Sequence, residues 1–149
     1  MTLTRAQVEQ ELVTRRQSML KAVGMDDTSN GSNADLNSPI GYAVRQCGGT
    51  VASLGSVSSA DVQTVDTSDL DRLLDIAEYR LLMNIKGRWA KVDTSSGPFS
   101  QSLSQLADQL DKDLASLKTN LGDQYGFGGG SLQVGVLDLS FMETDPDAA

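Results

Sequence analysis

Histidine is absent from this 149-residue chain, and cysteine occurs once, as Cys47. Without histidine the commonest general base and the commonest metal ligand are missing. A single cysteine excludes an internal disulfide and any paired-thiol redox or metal motif. Aromatic residues are scarce, with one Trp, three Tyr and three Phe, so a core has to be built mainly from Leu, Val, Ile and Ala. Cations are few as well: twelve Lys and Arg stand against twenty Asp and Glu, for a net charge of −8. A protein whose main task is to grip nucleic acid needs clustered cations for the phosphates. The balance here excludes that task, yet is compatible with DNA passing an acidic surface without sticking. No basic-then-apolar segment opens the chain, and no apolar run approaches the roughly 18 residues that span a bilayer. The expectation is a soluble protein made in a cytoplasm, with no membrane partner.

Catalytic motifs are missing too. There is no phosphate-binding loop with its lysine, no dinucleotide fingerprint after a strand, and no nucleophile elbow. Gly126–Ser131 (GFGGGS) is glycine-rich but follows a helical pattern and has no lysine. Asp26-Asp27 lie in a polar stretch with no apolar pocket to shift a pKa. Cys47 falls on an apolar face, where it reads as a small buried hydrophobe rather than a nucleophile. The chain is therefore expected to be no enzyme, with no catalytic residue, no cofactor and no metal.

What is present is helical patterning. Thr4 caps a first helix, with Gln7 as the return partner and Leu3 and Val8 spaced as a hydrophobic staple. Val8, Leu12, Leu20 and Val23 form its apolar stripe, and Gly24 is its stop. Arg15-Arg16-Gln17 interrupts the stripe: either a solvated face, or a contact for an acidic neighbour such as the next copy in an oligomer. Residues 25–37 are a polar loop in which Asp26, Thr28, Asn30, Gly31 and Ser32 loosely follow a calcium-binding loop. Asn37 at the twelfth position cannot supply the bidentate carboxylate, so a polar connector is expected there. Ser38-Pro39 reads as the next helix start, with Ile40, Ala43, Val44 and Cys47 on one face and Gly48-Gly49 at the end. Ser58 or Ser59 caps a short turn over Ala60, Asp61 and Val62.

The two strongest helices follow. One starts near Thr67 or Ser68, and Leu70, Leu73, Leu74, Ile76, Ala77, Leu81, Met83 and Ile85 occupy more than half of its circumference. Tyr79 and Leu82 fall on what remains. So broad an apolar surface needs neighbours on two sides, within the chain or in another subunit. After Trp89, read as a core plug, and a turn over 93–98, the other runs from about Phe99 to Leu121. Its stripe is Leu103, Leu106, Ala107, Leu110, Leu114, Leu117 and Leu121, with Gly122 as the stop. Beyond Gly126–Gly130, a flexible tether by composition, Leu132, Val134 and Val136 alternate, followed in shifted phase by Leu137, Leu139 and Phe141. That pattern is strand-like, with a possible bulge. A lone strand is not stable, so intermolecular strand addition competes with packing back on the chain's own helices. The fold class expected is mainly α: a small bundle of about four helices over 1–122 and an extended, glycine-tethered arm over 123–149.

The segment DTSDLDRLLDIAEYRLLMNIKGRWAKVDTSSGPFSQSLSQLADQLDKDLASLKTNL resembles the head–tail adaptor (connector) proteins of tailed bacteriophages. The resemblance lies in helix order, the Asp-rich helix start, the Trp-containing break and the Leu-striped helix after it, and it covers roughly residues 34–122. It implies a virion structural protein at the head–tail interface, present in the host cytoplasm during assembly. It implies a homo-oligomeric, dodecameric ring docked on the portal protein, with a tail-side connector or tail protein below and DNA passing through without sequence-specific binding. The portal-binding arm would be Leu132, Val134, Val136, Leu137, Leu139 and Phe141, and the subunit contacts Arg15, Arg16, Tyr79 and Leu82. The alternative is a small helical regulatory or partner-binding protein acting as a monomer or dimer.

Overall fold

The computed structural model describes residues 3–53, 55–89 and 99–126, with the side chains of 99–104 excepted. The chain is mainly helical, and there is no strand among the described residues. Among the described residues five α-helices follow one another: α1 (Arg5–Ala22), α2 (Asn37–Gln46), α3 (Ser59–Val62), α4 (Leu70–Trp89) and α5 (Phe99–Tyr125). Short 3-10 turns, Ala34–Leu36 and Thr67–Asp69, lead into α2 and α4.

Local signals set most boundaries. At the start of α1 the Gln7 backbone N–H donates to the Thr4 hydroxyl, and the Thr4 N–H donates to Gln7 Oε1 at 2.8 Å. Ser58 and Asp61 repeat the arrangement at α3. Gly48 ends α2 with φ +83°, a conformation that a side chain would strain, and Gly49 N–H closes onto the Val44 carbonyl at 2.9 Å. Gly49 is also held close: a Cβ there would lie 2.6 Å from Thr64 Oγ1 and 2.8 Å from Val44 Cγ1.

Two boundaries differ from expectation. The capping residue before α2 is Asn33 rather than Ser38: its Oδ1 accepts the Asp35 N–H, and its Nδ2 donates to the Asp26 and Thr28 carbonyls, both at 2.8 Å. The polar loop holds the cap, so the helical path begins earlier and Pro39 sits in the first turn of α2. The second difference is at α5, which runs through Gly122 to Tyr125 and turns out at Gly126, φ +67°. The Arg72 guanidinium of α4 lies over the Tyr125 ring, 5.9 Å from its centroid. That contact favours another turn of helix against the roughly 1 kcal/mol that a mid-helix glycine costs.

α4 is the central element, packing against α2, α5 and α1. Its two-sided demand for neighbours is met within one chain. Leu73, Ile76, Ala77, Leu81, Leu82 and Ile85 are buried, facing Leu12 and Leu20 of α1, Ile40 and Val44 of α2, and Leu110 and Leu121 of α5 in one core. Met83, expected on the apolar face, is instead 42% exposed, and Leu82, expected outside it, has no exposed surface. With helices on three sides, the covered arc of α4 takes in Leu82 and leaves Met83 at its edge. Trp89 is half-buried against the same core. The turn over 93–98 and the strand-like arm at 132–141 lie outside the described residues.

One polar group of this framework predicts a pH response. The Asp61 carboxyl is held below its ordinary value by the Ser58 backbone N–H, against the opposing effect of burial, and the Ala52 N–H adds to the lowering. A folded-state pKa below the unfolded one gives stability that is present above the unfolded value, about 3.9, and lost as pH falls through the folded one. Urea midpoints should therefore drop as pH is lowered below about 5. Asp61→Asn should flatten that drop while lowering stability by about 0.5–2 kcal/mol at pH 7. Parallel acid limbs for the two proteins would contradict this role.

Candidate interaction surface

α5 carries the cleanest apolar stripe in the chain, yet the bundle covers it only in part. Leu110 and Leu121 are buried, whereas Leu106, Leu114 and Leu117 are only partly buried, the last two at the edge of the core. Beside Leu114 the two antiparallel helices part into a groove of about 280 Å³, lined by Tyr79, Met83, Lys86, Leu114, Ala115 and Lys118. Its floor is apolar and two of its edges are lysines. Lys86 Nζ reaches Asp111 Oδ1 at 2.9 Å, an exposed pair worth at most about 1 kcal/mol, so the lysine is easily redirected. A second cleft between Leu3, Val62, Val65 and Leu70 is far smaller, about 50 Å³.

Of the four residues expected at subunit contacts, only Tyr79 lies on this surface. Leu82 is core, unavailable to a neighbour while α4 keeps its packing. Arg15, which is exposed, and Arg16, which is half-buried, are both engaged by carboxylates of their own chain. Arg15 donates to Glu11, Asp75 and Glu78 at 3.0, 3.3 and 3.0 Å. Arg16 reaches Glu78 Oε2 at 2.6 Å and Asp113 Oδ2 at 2.5 Å. Glu78 is buried, and its two oxygens tie α1 to α4, while Asp113 brings in α5. The helix breaks at Arg16, φ −133°, where the side chain spans to both other helices. These two arginines act as a clamp on the bundle.

A second internal network organises the polar loop. Glu9, wholly buried, accepts from Arg5 Nε at 2.7 Å, from Gly31 N at 2.8 Å and from Asn33 N at 3.1 Å. Arg5 continues to the Asn33 and Val57 carbonyls and to Asn37 Oδ1. The oxygens that suggested a calcium loop are used locally: Asp26 Oδ1 accepts the Thr28 N–H and Asn30 Oδ1 the Ser32 N–H. Among the described residues, no group of three or more acidic or thiol side chains is placed to hold a metal. Burial pushes the Cys47 thiol up in pKa, against the lowering effect of Arg72, which makes it a poorer nucleophile at neutral pH. No helix among the described residues is long and apolar enough to cross a membrane.

Sequence reasoning missed Met83, Lys86, Ala115 and Lys118 as surface-site residues. The spacing of Tyr79 and Met83, four apart on one helix face, was the available signal. The gap between α4 and α5, which makes that face a groove, is set by how the two helices pack and has no signal in the spacing of either one. Comparison with family models, with curated proteins and with solved structures gives no match to this chain.

Proposed function

We propose that this chain is a structural protein of a tailed-bacteriophage particle, a head–tail adaptor that forms a dodecameric ring on the portal and links capsid to tail. The observation that carries the reading is the half-covered Leu106, Leu114 and Leu117 stripe with its adjoining groove, on a chain that continues into a glycine-tethered apolar arm. A protein that works by assembly needs such surfaces, and it needs no catalytic constellation. The resemblance of residues 34–122 to adaptor proteins names the kind of assembly. Electrostatics suit a conduit: Arg15, Arg16 and Arg88 each sit against carboxylates of the same chain, and the net charge is −8. Cations already engaged internally offer little to phosphates, so DNA passes without being held.

In this reading the arm residues Leu132, Val134, Val136, Leu137, Leu139 and Phe141 engage the portal, and the Tyr79–Met83 face meets the neighbouring subunit. The test is native mass spectrometry of the chain mixed with a candidate portal protein. A ring of many copies bound to the portal is the expected species. A chain that stays monomeric or dimeric and ignores the portal belongs instead to the class of small partner-binding proteins.

A further inference from the structure

The groove between α4 and α5 and the arm that follows α5 have matching chemistry. From the structure we infer that Leu137, Leu139 and Phe141 seat in the groove of their own chain, with the arm folded back antiparallel along α5. The groove offers an apolar floor of Tyr79, Met83, Leu114 and Ala115 between Lys86 and Lys118. Residues 127–149 contain Asp138, Glu143, Asp145 and Asp147 and no Lys or Arg. An apolar segment flanked only by acids is the complement of an apolar floor flanked by lysines. In extended backbone the run Leu137-Asp138-Leu139-Ser140-Phe141 puts its three apolar side chains on one side and Asp138 on the other.

Dimensions agree. Four residue steps from Leu137 to Phe141 cover about 13 Å in a strand. The groove side of α5, from Lys118 back to the Asp111 that pairs with Lys86, is about 10 Å of helix. Phe141 then comes to the mouth of the groove, beside Lys86. The arm must also turn back from Gly126, about 12 Å of helix beyond Lys118. The eleven steps from Gly126 to Leu137 reach up to roughly 36 Å, and most of the early ones are glycine, so the return is unstrained. A tether this short holds the segment near its own groove at an effective concentration on the order of millimolar, above that of any second copy at ordinary protein concentrations. Own-chain docking therefore prevails in the free protein. Its consequence for assembly rests on the adaptor reading: release of the arm to the portal would at the same time uncover the Tyr79–Met83 face for the next subunit. The docking itself needs no portal.

The experiment uses the full chain with a nitroxide on Ser140→Cys in a Cys47→Ala background and 13C-labelled methionine methyl groups. The Met83 methyl should lose more than half of its intensity, and more than the Met19 and Met25 methyls do. The loss should persist on dilution, and Lys86→Glu with Lys118→Glu should restore most of the signal. In the unmodified chain, carbodiimide should join Lys86 or Lys118 to Asp138 or Glu143 within one polypeptide, a readout independent of any substitution. An unaffected Met83, or a loss that appears only when labelled and reporter chains are mixed, would overturn the inference. Portal capture is not read in either measurement, so failure of the docking and failure of the adaptor reading are told apart.

Discussion

Glu9→Ala is expected to lower folding stability by about 3–5 kcal/mol, the usual cost of breaking a buried ion pair from one side. Against a typical total of about 5–15 kcal/mol, that leaves a protein close to unfolding. Three donors lose their acceptor together: the Arg5 guanidinium and the backbone N–H groups of Gly31 and Asn33. Arg5 is itself buried, so its charge is left without a counter-charge where water does not reach. The two amides belong to the loop that carries the Asn33 cap, so the damage spreads from α1 to the entry of α2. Glu9→Gln keeps one acceptor oxygen and should recover only part of the loss. Replacing both partners, Arg5→Met with Glu9→Met, should cost less than the sum of the single changes, by about 1–3 kcal/mol of coupling. Urea unfolding of wild type, Glu9→Ala, Glu9→Gln, the two single Met changes and their combination measures this. A Glu9→Ala midpoint close to wild type would show that the pair does not hold the loop.

Leu82→Ala carries the second large effect, about 2–5 kcal/mol, for deleting a fully buried leucine from a core that relaxes only in part. Its value lies in what it separates. A leucine lost from a subunit interface leaves the isolated chain as stable as before and weakens only the assembly. A leucine lost from this core destabilises the chain before any assembly begins. Met83→Ala is the companion change: at 42% exposure it should alter stability by less than about 1 kcal/mol. Thermal or urea unfolding of dilute protein gives both values. Equal and small effects at the two positions would move Leu82 back to the surface.

The local chemistry of this chain was legible in its residues. Thr4 with Gln7 and the stops at Gly24 and Gly48 are each decided within a few residues and stand where spacing predicts, and of the two serines offered as the cap of α3 it is Ser58 that serves. The centrality of α4 was legible too, because its apolar circumference is too wide for one partner. What could not be read were features decided by groups far apart in the chain. Glu9 takes two of its donors from Gly31 and Asn33, more than twenty residues on, and Glu78 takes its donors from Arg15 and Arg16, with Arg15 and Glu78 separated by 63 residues. Asn33 displaces Ser38 as the cap because the 25–37 loop closes over Glu9. Tyr125 carries α5 past Gly122 because Arg72, far earlier in the chain, lies over its ring. The groove follows the same rule: its residues were visible one at a time, and the space between them was not.

The proposal that this chain works by assembly, through the groove and the arm, is tested most directly by imaging it on the portal. Electron microscopy of the reconstituted complex should show a ring of copies beneath the portal, each sending residues 132–141 to the portal and each turning its Tyr79–Met83 face to a neighbour. Isolated copies, or a ring whose arms stay in their own grooves while the portal is held by another surface, would contradict it.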